Sequence, residues 1–273
     1  MRTESGSRTG APGDVSFAKL SHSARRAVAF SYYGLASLGL AFVGLPLDRW
    51  IGAAVGRTEA PDLRAQWLIH RTARSCVRVM ELLGLARIRW CGAQALVGRP
   101  VLVVANHPSL IDTTLLISHM PQADFIVKPE WGNNPFLRGA ASAAGYLRAD
   151  RGAQVVDDAV ARLRAGRSVV IYPEGSRTPR EGLRRFHRGA AHIALEAACD
   201  LLPVLIQVTP RTLMKDQRWT ETPERTPEWR IEVGEPIRPA EHLDGGESRP
   251  LAARRLTAVL RDYFDKRWDS AQL

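Results

Sequence analysis

The sequence predicts an α/β fold: a mixed, mostly parallel sheet flanked by helices, preceded by an N-terminal apolar and amphipathic helical region that anchors the chain to a membrane. Three observations lead to this prediction. Short β-rich runs alternate with helical patterns from about residue 86 onward. Residues 27–47 carry no charge. A helical pattern over 62–83 follows, with arginines three or four residues apart.

The 273 residues suit one large domain with a short N-terminal appendage. Residues 1–24 begin with a segment rich in Gly, Ser, Thr and Pro and are predicted to be a disordered lead-in. Residues 25–85 are predicted to form the membrane-associating helices. Residues 86–273 are predicted to form the α/β domain.

The uncharged segment 27–47 would be about 31 Å long as a helix, which is enough to cross a hydrocarbon core. We interpret it as a span or a re-entrant anchor; the alternative is a helix buried against the domain. The arginines of 62–83 would lie in the headgroup layer or on an ordinary solvated face. Charges flanking 27–47 are too balanced to set an orientation.

The α/β alternation assigns individual elements. The predicted strands are 86–90, 101–105, 124–127, 168–172, 202–208 and 229–233. The predicted helices are 109–119, 135–144, 155–165, 189–198 and 250–268.

Composition limits the possible partners. The formal charge is +10, and residues 1–99 hold 14 Arg and Lys against 6 Asp and Glu, so most of the excess lies beside the apolar segment. This position fits an anionic membrane surface. No recognition motif indicates a nucleic-acid partner. The three cysteines have neither disulfide nor zinc-site spacing, which favours a reducing compartment.

A first candidate site follows the predicted strand 101–105. His107 would lie on a turn before a helix, with Pro108 in the first helical turn and Asp112 close behind. The pair can meet only if His107 precedes the helix, because five residues is a poor same-face spacing. Asp112 would then fix the imidazole tautomer and leave the other nitrogen free to take a proton from an alcohol.

A second candidate site follows the strand 168–172. Gly175 permits a tight backbone, and Arg177 can donate two N–H groups to phosphate oxygens. Glu174 would orient Arg177 or bind an acceptor hydroxyl; a purely structural Glu–Arg pair is the alternative. The segment 186–189 leads into a helix whose N-terminus favours an anion.

These motifs resemble the lysophosphatidic acid acyltransferase superfamily of glycerolipid acyltransferases over about residues 86–237. The resemblance rests on four ordered blocks: Asn106 to Asp112, Gly145 to Arg151, Tyr172 to Thr178, and Leu202 to Val204. The first and third are specific. The second departs from the usual pattern at Arg148 and Ala149, which weakens its phosphate assignments.

The resemblance implies roles for particular residues. His107 would be the general base and Asp112 its partner. Glu174, Gly175, Ser176 and Arg177 would hold the acceptor, and Arg151 and Arg148 would lie near its phosphate. Lys128 occupies a position where the family has a similar residue, and Pro203 would lie near the acyl chain. The wider pattern is also similar to acyltransferases of aryl-polyene or polyketide-type lipid pathways, which suggests a specialised donor or acceptor.

The reaction so implied is O-acylation of a lysophospholipid-like hydroxyl by an acyl thioester, with acyl carrier protein or coenzyme A as co-substrate and no cofactor or metal. The predicted location is the inner membrane with the site on its cytosolic face, because the thioester donor is cytosolic. A serine hydrolase is disfavoured because no GxSxG motif is present. A non-catalytic membrane-bound scaffold is the remaining alternative. Acceptor identity and oligomeric state stay open.

Overall fold

The structure is a computed structural model that describes residues 13–130, 135–215, 217–218, 221, 223–243 and 246–270. The helices are α1 (Gly13–Gly39), α2 (Leu45–Ala54), α3 (Pro61–Leu82), α4 (Asp112–His119), α5 (Pro135–Ala143), α6 (Gln154–Arg164), α7 (Gly189–Ala197) and α8 (Arg249–Ser270). The strands are β1 (Arg87–Cys91), β2 (Leu102–Ala105), β3 (Asp124–Val127), β4 (Leu147–Arg148), β5 (Val169–Ile171), β6 (Leu201–Thr209) and β7 (Glu228–Val233).

The seven strands form one sheet in the order β1-β7-β6-β2-β5-β3-β4. All neighbouring strands are parallel except β6 and β7. The adjacent strands β2 and β5 at the centre of the sheet are apolar and buried throughout, because parallel strands are covered on both faces. The predicted mixed, mostly parallel α/β fold is therefore confirmed.

Helices cover the sheet on both faces. Val103 of β2 belongs to the core that includes Ile69 of α3 and Leu115 of α4. Leu102, one residue earlier and on the opposite face, belongs to the core that includes Ile193 of α7 and Leu256 of α8. Successive strand residues thus pack into different layers, as the pleat requires.

Most predicted elements agree with the structure to within a few residues, and two differ. The two-residue strand β4 was not predicted, because it is too short to give a pattern. The helix predicted over 109–119 begins only at Asp112, so Pro108 lies in the preceding turn and not in the first helical turn. The turn persists because the Asp112 carboxylate accepts the main-chain N–H of Ser109 at 2.5 Å.

The N-terminal helices run antiparallel along α3. Arg25 donates to the carbonyl of Leu83 at 3.1 Å, and Tyr32 donates to Ser75 at 3.1 Å. A π-helical turn, Leu40–Gly44, joins α1 to α2. The predicted lead-in to residue 24 is too long, because α1 begins at Gly13; residues 1–12 lie outside the described residues.

An apolar face of these helices points away from the domain. Leu35, Phe42 and Trp50 are each at least 70% exposed. The helical segment Ser21–Ala54 is long and apolar enough to cross a membrane, and it is not buried inside the protein. One side nevertheless packs on α3, where Arg64 binds Asp48 of α2 at 2.9 Å. An exposed apolar face of this size indicates membrane association.

A buried ionic network ties α3 to the sheet. Asp124 of β3 is fully buried and accepts from Arg167 at 2.7 and 2.8 Å and from Gln66 of α3 at 3.0 Å. Arg167 also reaches Asp62 at the start of α3, and so does Arg162. Burial raises the pKa of Asp124, and the arginine beside it counters that rise. The network therefore depends on Arg167 remaining in place.

We expect Arg167→Met to destabilise the fold by about 3–5 kcal/mol at neutral pH, because it leaves Asp124 buried without its cation. The pKa of Asp124 would rise further, so the folded state would bind the proton more tightly than the unfolded state. The loss of unfolding free energy should be full near neutral pH and should shrink as the pH falls toward about 5. Denaturant unfolding in detergent at both pH values measures this.

The matched control is Arg162→Met, because among the described residues Arg162 forms an ion pair with the partly exposed Asp62 and donates no hydrogen bond to Asp124, although its charge also lowers the pKa of Asp124. We expect this variant to cost less than about 1 kcal/mol. Equal losses for the two variants would show that Asp124 does not depend on Arg167.

Candidate active site

The carboxyl ends of four neighbouring strands meet at one edge of the sheet. β2 leads to His107, β5 to Tyr172, β3 to Lys128 and β6 to Thr212. All four residues line a single cavity of about 990 Å³. Parallel pairing thus brings together the two motifs that are 67 residues apart in the chain.

Asn106 ends β2 without leaving its neighbour unpaired. Its side-chain amide donates to the carbonyl of Ile206 at 2.8 Å and accepts the N–H of the same residue at 2.7 Å. The side chain thereby replaces one step of the ladder with β6 and frees the main chain to turn. His107 is carried out of the sheet at that point.

The His107 imidazole is oriented by Asp112. Nδ1 lies 2.9 Å from an Asp112 carboxylate oxygen, and Asp112 is fully buried. Ser109 donates its hydroxyl to the other oxygen and accepts from the indole N–H of Trp229 at 3.0 Å. A carboxylate in its ionised form only accepts, so with that form of Asp112 the hydrogen bond requires the proton on Nδ1 and leaves Nε2 as the nitrogen that can accept one. His107 lines the cavity.

Tyr172 packs against the face of the imidazole. The two rings are stacked with centroids 4.5 Å apart and planes 22° from parallel. The Tyr172 hydroxyl lies 3.0 Å from the hydroxyl of Thr113, next to Asp112 on α4. The sequence placed Tyr172 inside the third block but gave no sign of this contact.

Glu174 is buried and holds the main chain of the site. It accepts from the hydroxyl of Thr178, from the N–H of Arg184 at 2.9 Å and, at 3.4 Å, from the N–H of His107. Thr178 in turn donates its N–H to the carbonyl of His107 at 2.7 Å. Burial raises the pKa of Glu174, and these hydrogen bonds counter the rise.

This arrangement corrects the predicted Glu174–Arg177 pair. Arg177 donates instead to the carbonyl of Leu213 at 3.3 Å. Glu174 is 3% exposed and its oxygens are already used by the protein, so it is not placed to bind an acceptor hydroxyl directly. Its role is to join the third block to the main chain of His107.

Gly175 is required by its conformation and by its surroundings. Its φ of +62° lies in the left-handed region, and a Cβ there would stand 3.2 Å from the His187 imidazole. His187, Gly175 and Ser176 all line the cavity. The close approach explains why segments 172–178 and 186–189 belong to one site.

Cationic side chains also line the cavity. Lys128, Arg177 and Lys215 come from loops after three different strands, and Arg26 comes from α1. Lys128 and Arg177 were predicted from the sequence. Lys215 and Arg26 were not, because only the fold brings the loop after β6 and the N-terminal helix to this edge.

Three predicted site residues do not line the cavity. Arg148 pairs with Asp150 at 2.7 Å, and Arg151 lies 3.5 Å from Asp158. Pro203 is aligned with Val104, whose side chain belongs to the core beneath α7 and α8. The arginines are turned outward by neighbouring carboxylates, and Pro203 is fixed in the sheet by its register.

Both helical layers contribute apolar walls to the cavity. Phe30 and Tyr33 of α1 lie on one side with Met80 of α3, and Val156 of α6 and Ile193 of α7 lie on the other. Cys76 also lines it, but burial raises the pKa of this thiol to about 11. It is therefore a thiol and not a thiolate at neutral pH. Such walls suit an aliphatic chain.

The chain is similar in sequence and in fold to known proteins. Residues 87–207 match the family model described as Acyltransferase. The chain is 32% identical over 175 residues to a lyso-ornithine lipid O-acyltransferase of Pseudomonas aeruginosa, covering 62% of this chain and 65% of that protein. It is 28% identical over 156 residues to a 1-acyl-sn-glycerol-3-phosphate acyltransferase of Saccharomyces cerevisiae, covering 53% and 50%. The chain thus spans less than two thirds of the length of either relative.

The fold is shared with a solved structure. The crystal structure of the 1-acyl-sn-glycerophosphate (LPA) acyltransferase PlsC from Thermotoga maritima matches with a TM-score of 0.64 at 20% identity, over 89% of this chain and 95% of that one. At this identity the likeness concerns the fold. Together the family model and the curated relatives support a place for residues 87–207 in the lysophosphatidic acid acyltransferase superfamily, and the solved structure shows a shared fold.

Proposed function

We propose that the chain is an O-acyltransferase that moves a fatty acyl group from a thioester to a hydroxyl of a lysophospholipid-like acceptor, converting lysophosphatidate to phosphatidate. The acyl group is attached by this thioester to acyl carrier protein or to coenzyme A. The observation that carries the proposal is the 2.9 Å contact between His107 Nδ1 and the buried Asp112, at the edge of a cavity with cationic and apolar walls.

The proposed reaction is a direct transfer. His107 Nε2 takes the proton of the acceptor hydroxyl while the hydroxyl oxygen attacks the carbonyl carbon of the thioester. The tetrahedral intermediate then collapses, the C–S bond breaks, and the proton on His107 passes to the leaving thiolate. Asp112 stabilises the imidazolium that forms between the two steps, as the carboxylate does in a serine-protease triad. The products are an ester and a free thiol.

The charge of the cavity favours an anionic acceptor. Lys128, Arg177 and Lys215 lie on the loops around His107, and an arginine can bind two phosphate oxygens at once. An acceptor without phosphate is the second candidate. It is favoured by the similarity to a protein named a lyso-ornithine lipid O-acyltransferase.

We also propose that the protein lies on the inner membrane with its site on the cytosolic face. The exposed apolar face of the N-terminal helices supports the membrane contact, and the cytosolic thioester donor supports the choice of face. α1 and α2 are held along α3 and expose one apolar face. We therefore infer that they lie in the membrane interface and do not span the bilayer. This arrangement leaves the domain on the side that the helices enter, where a cytosolic thioester can reach it. Protease accessibility in inverted and right-side-out vesicles tests this orientation.

We expect His107→Ala to lower the rate of thioester-dependent ester formation by at least about a thousandfold, because the general base is lost. Asp112→Asn should lower kcat by a similar order while leaving KM for the acceptor nearly unchanged, because it disturbs the tautomer and not the binding groups. Purified protein with radiolabelled acyl donor and lysophosphatidate measures both.

His192→Ala is the matched control, since His192 of α7 does not line the cavity. It should retain nearly full activity. Ester formation that survives His107→Ala would sink the proposed mechanism.

We expect Lys128→Met and Arg177→Met to raise KM for lysophosphatidate by about tenfold each, because each removes a charge-assisted contact to the phosphate. Arg148→Met should change KM little, since Arg148 pairs with Asp150 outside the cavity. Steady-state kinetics with lysophosphatidate and with lyso-ornithine lipid measure the effect. A higher kcat/KM for lyso-ornithine lipid, unchanged by both variants, would favour the second candidate acceptor.

We expect Glu174→Gln to lower stability by about 1–3 kcal/mol, because an amide offers its NH₂ where the protein also presents donors. Activity should fall by between about tenfold and a hundredfold as the main chain of His107 loses its support. Glu181→Gln, an exposed change in the same loop, should alter neither quantity. Thermal unfolding and initial rates are the measurements; an unaltered Glu174→Gln protein would show that the carboxylate does not position His107.

A further inference from the structure

A short loop beside the cavity carries an uncompensated positive charge. Residues 178–188 contain four arginines, Arg180, Arg184, Arg185 and Arg188, against the single acidic residue Glu181. All four arginines are exposed, and we call them the arginine rim. The contrast with the rest of the body is large, because residues 100–273 as a whole hold 24 basic against 22 acidic residues.

The rim arginines are not neutralised by the protein. Among the residues that the structure describes, none of the four forms an ion pair with a carboxylate, whereas Arg148, Arg162, Arg167 and other arginines of the body do. Two further arginines approach the rim, since Arg211 donates to the carbonyl of Arg180 and Arg261 to that of Arg184. These like charges repel one another, and binding of an external anion would relieve that repulsion.

The loop 178–188, which carries the arginine rim, is held at both ends beside the cavity. Thr178, at the start of this loop, donates its N–H to the carbonyl of His107, and Arg184 donates its N–H to Glu174. At its far end, His187 and Gly189 line the cavity on either side of Arg188. A partner seated on the rim would therefore lie directly beside the opening that leads to His107.

The position of the rim charges indicates a partner that is larger than the cavity. The four side chains are not among those lining the cavity, so a ligand confined to the cavity does not reach them. The lining already holds Lys128, Arg177 and Lys215 for the charges of a small substrate. An anion that covers the rim must extend over the outer surface while its reactive end enters the cavity.

The chemistry of the rim favours a water-soluble partner over a membrane. Within residues 178–188 there is no exposed large apolar side chain, and Phe186 is buried. The exposed apolar residues that would enter a bilayer lie instead on α1 and α2, such as Phe42 and Trp50. A surface with charge and no apolar anchor is typical of electrostatically steered protein docking.

We propose that the arginine rim is the docking surface for an acidic acyl carrier protein, whose thioester arm enters the cavity beside it. This inference rests on the thioester-dependent transfer proposed above and selects the carrier protein as the natural donor. The partner contributes carboxylates to the four arginines, and the flexible arm presents the acyl carbonyl to the acceptor hydroxyl at His107.

The test reverses rim charge without touching the catalytic residues. Arg180→Glu and Arg185→Glu are combined in one variant, because both residues lie outside segment 186–189 and neither side chain forms a hydrogen bond or an ion pair among the described residues. The matched control combines Arg99→Glu and Arg254→Glu, two exposed arginines that do not line the cavity. Both variants make the same change in net charge, and circular dichroism and thermal unfolding verify their folding.

Binding is measured by fluorescence anisotropy with labelled holo acyl carrier protein of a type II fatty acid synthase, using the full chain in uncharged detergent. We expect the rim variant to weaken binding by at least about tenfold, and the wild-type affinity to fall as salt rises. The control variant should stay within about twofold of wild type. The kcat/KM with acyl carrier protein should fall in parallel, and the kcat/KM with acyl coenzyme A should not.

Three results would overturn the proposal. One is an equal loss of kcat/KM with acyl carrier protein and with acyl coenzyme A, which would mean that the rim acts on a step that both donors share. Another is unchanged carrier binding with reduced binding to vesicles containing phosphatidylglycerol, which would assign it to the membrane. The third is no effect at all. Carrier binding by a wild-type chain that transfers no acyl group would instead contradict the proposed function and leave the docking surface standing.

Discussion

His107 is held by contacts to its side chain, to its main chain and to its ring face, and the rest of the site is arranged around these contacts. Asp112 binds Nδ1, Glu174 and Thr178 bind the main-chain N–H and carbonyl, and Tyr172 stacks on the imidazole. The first and third sequence blocks therefore form one unit. Each block would leave buried polar groups unpaired without the other.

Two buried carboxylates make this unit rigid. Asp112 and Glu174 are both almost inaccessible to water, and each accepts several hydrogen bonds from nearby donors. In a poorly hydrated environment such hydrogen bonds are strong and directional, and losing one donor is costly. The placement of the His107 imidazole thus depends on the folding of the turn after β2 and of the loop after β5.

Charge is distributed according to location in the molecule. Inside the body, arginines such as Arg167 bind buried carboxylates and join the helical layers to the sheet. At the cavity, Lys128 and Arg177 remain available to a substrate. On the rim, arginines lie beside the opening without a carboxylate partner among the described residues, and on α1 and α2 exposed apolar side chains replace charge. The surfaces proposed for membrane contact, substrate binding and partner docking are thus separate.

The sequence by itself determined the α/β class, most element positions, and the places of the His107–Asp112 pair and of the glycine loop. These follow from local patterns: apolar runs for buried parallel strands, and polar motifs placed directly after them. The His107–Asp112 contact was predictable because a turn is the only geometry in which a spacing of five residues brings the two side chains together.

Only the tertiary structure decided which distant residues share the site. Trp229, Lys215 and Arg26 reach it because strand order and the course of α1 place them there, which no local pattern encodes. The same reason explains why Arg148, Arg151 and Pro203 lie outside the cavity: nearby carboxylates and strand register fix their directions. Glu174 likewise changed from a ligand of Arg177 to a support for His107, because burial and neighbouring donors determine what a carboxylate binds.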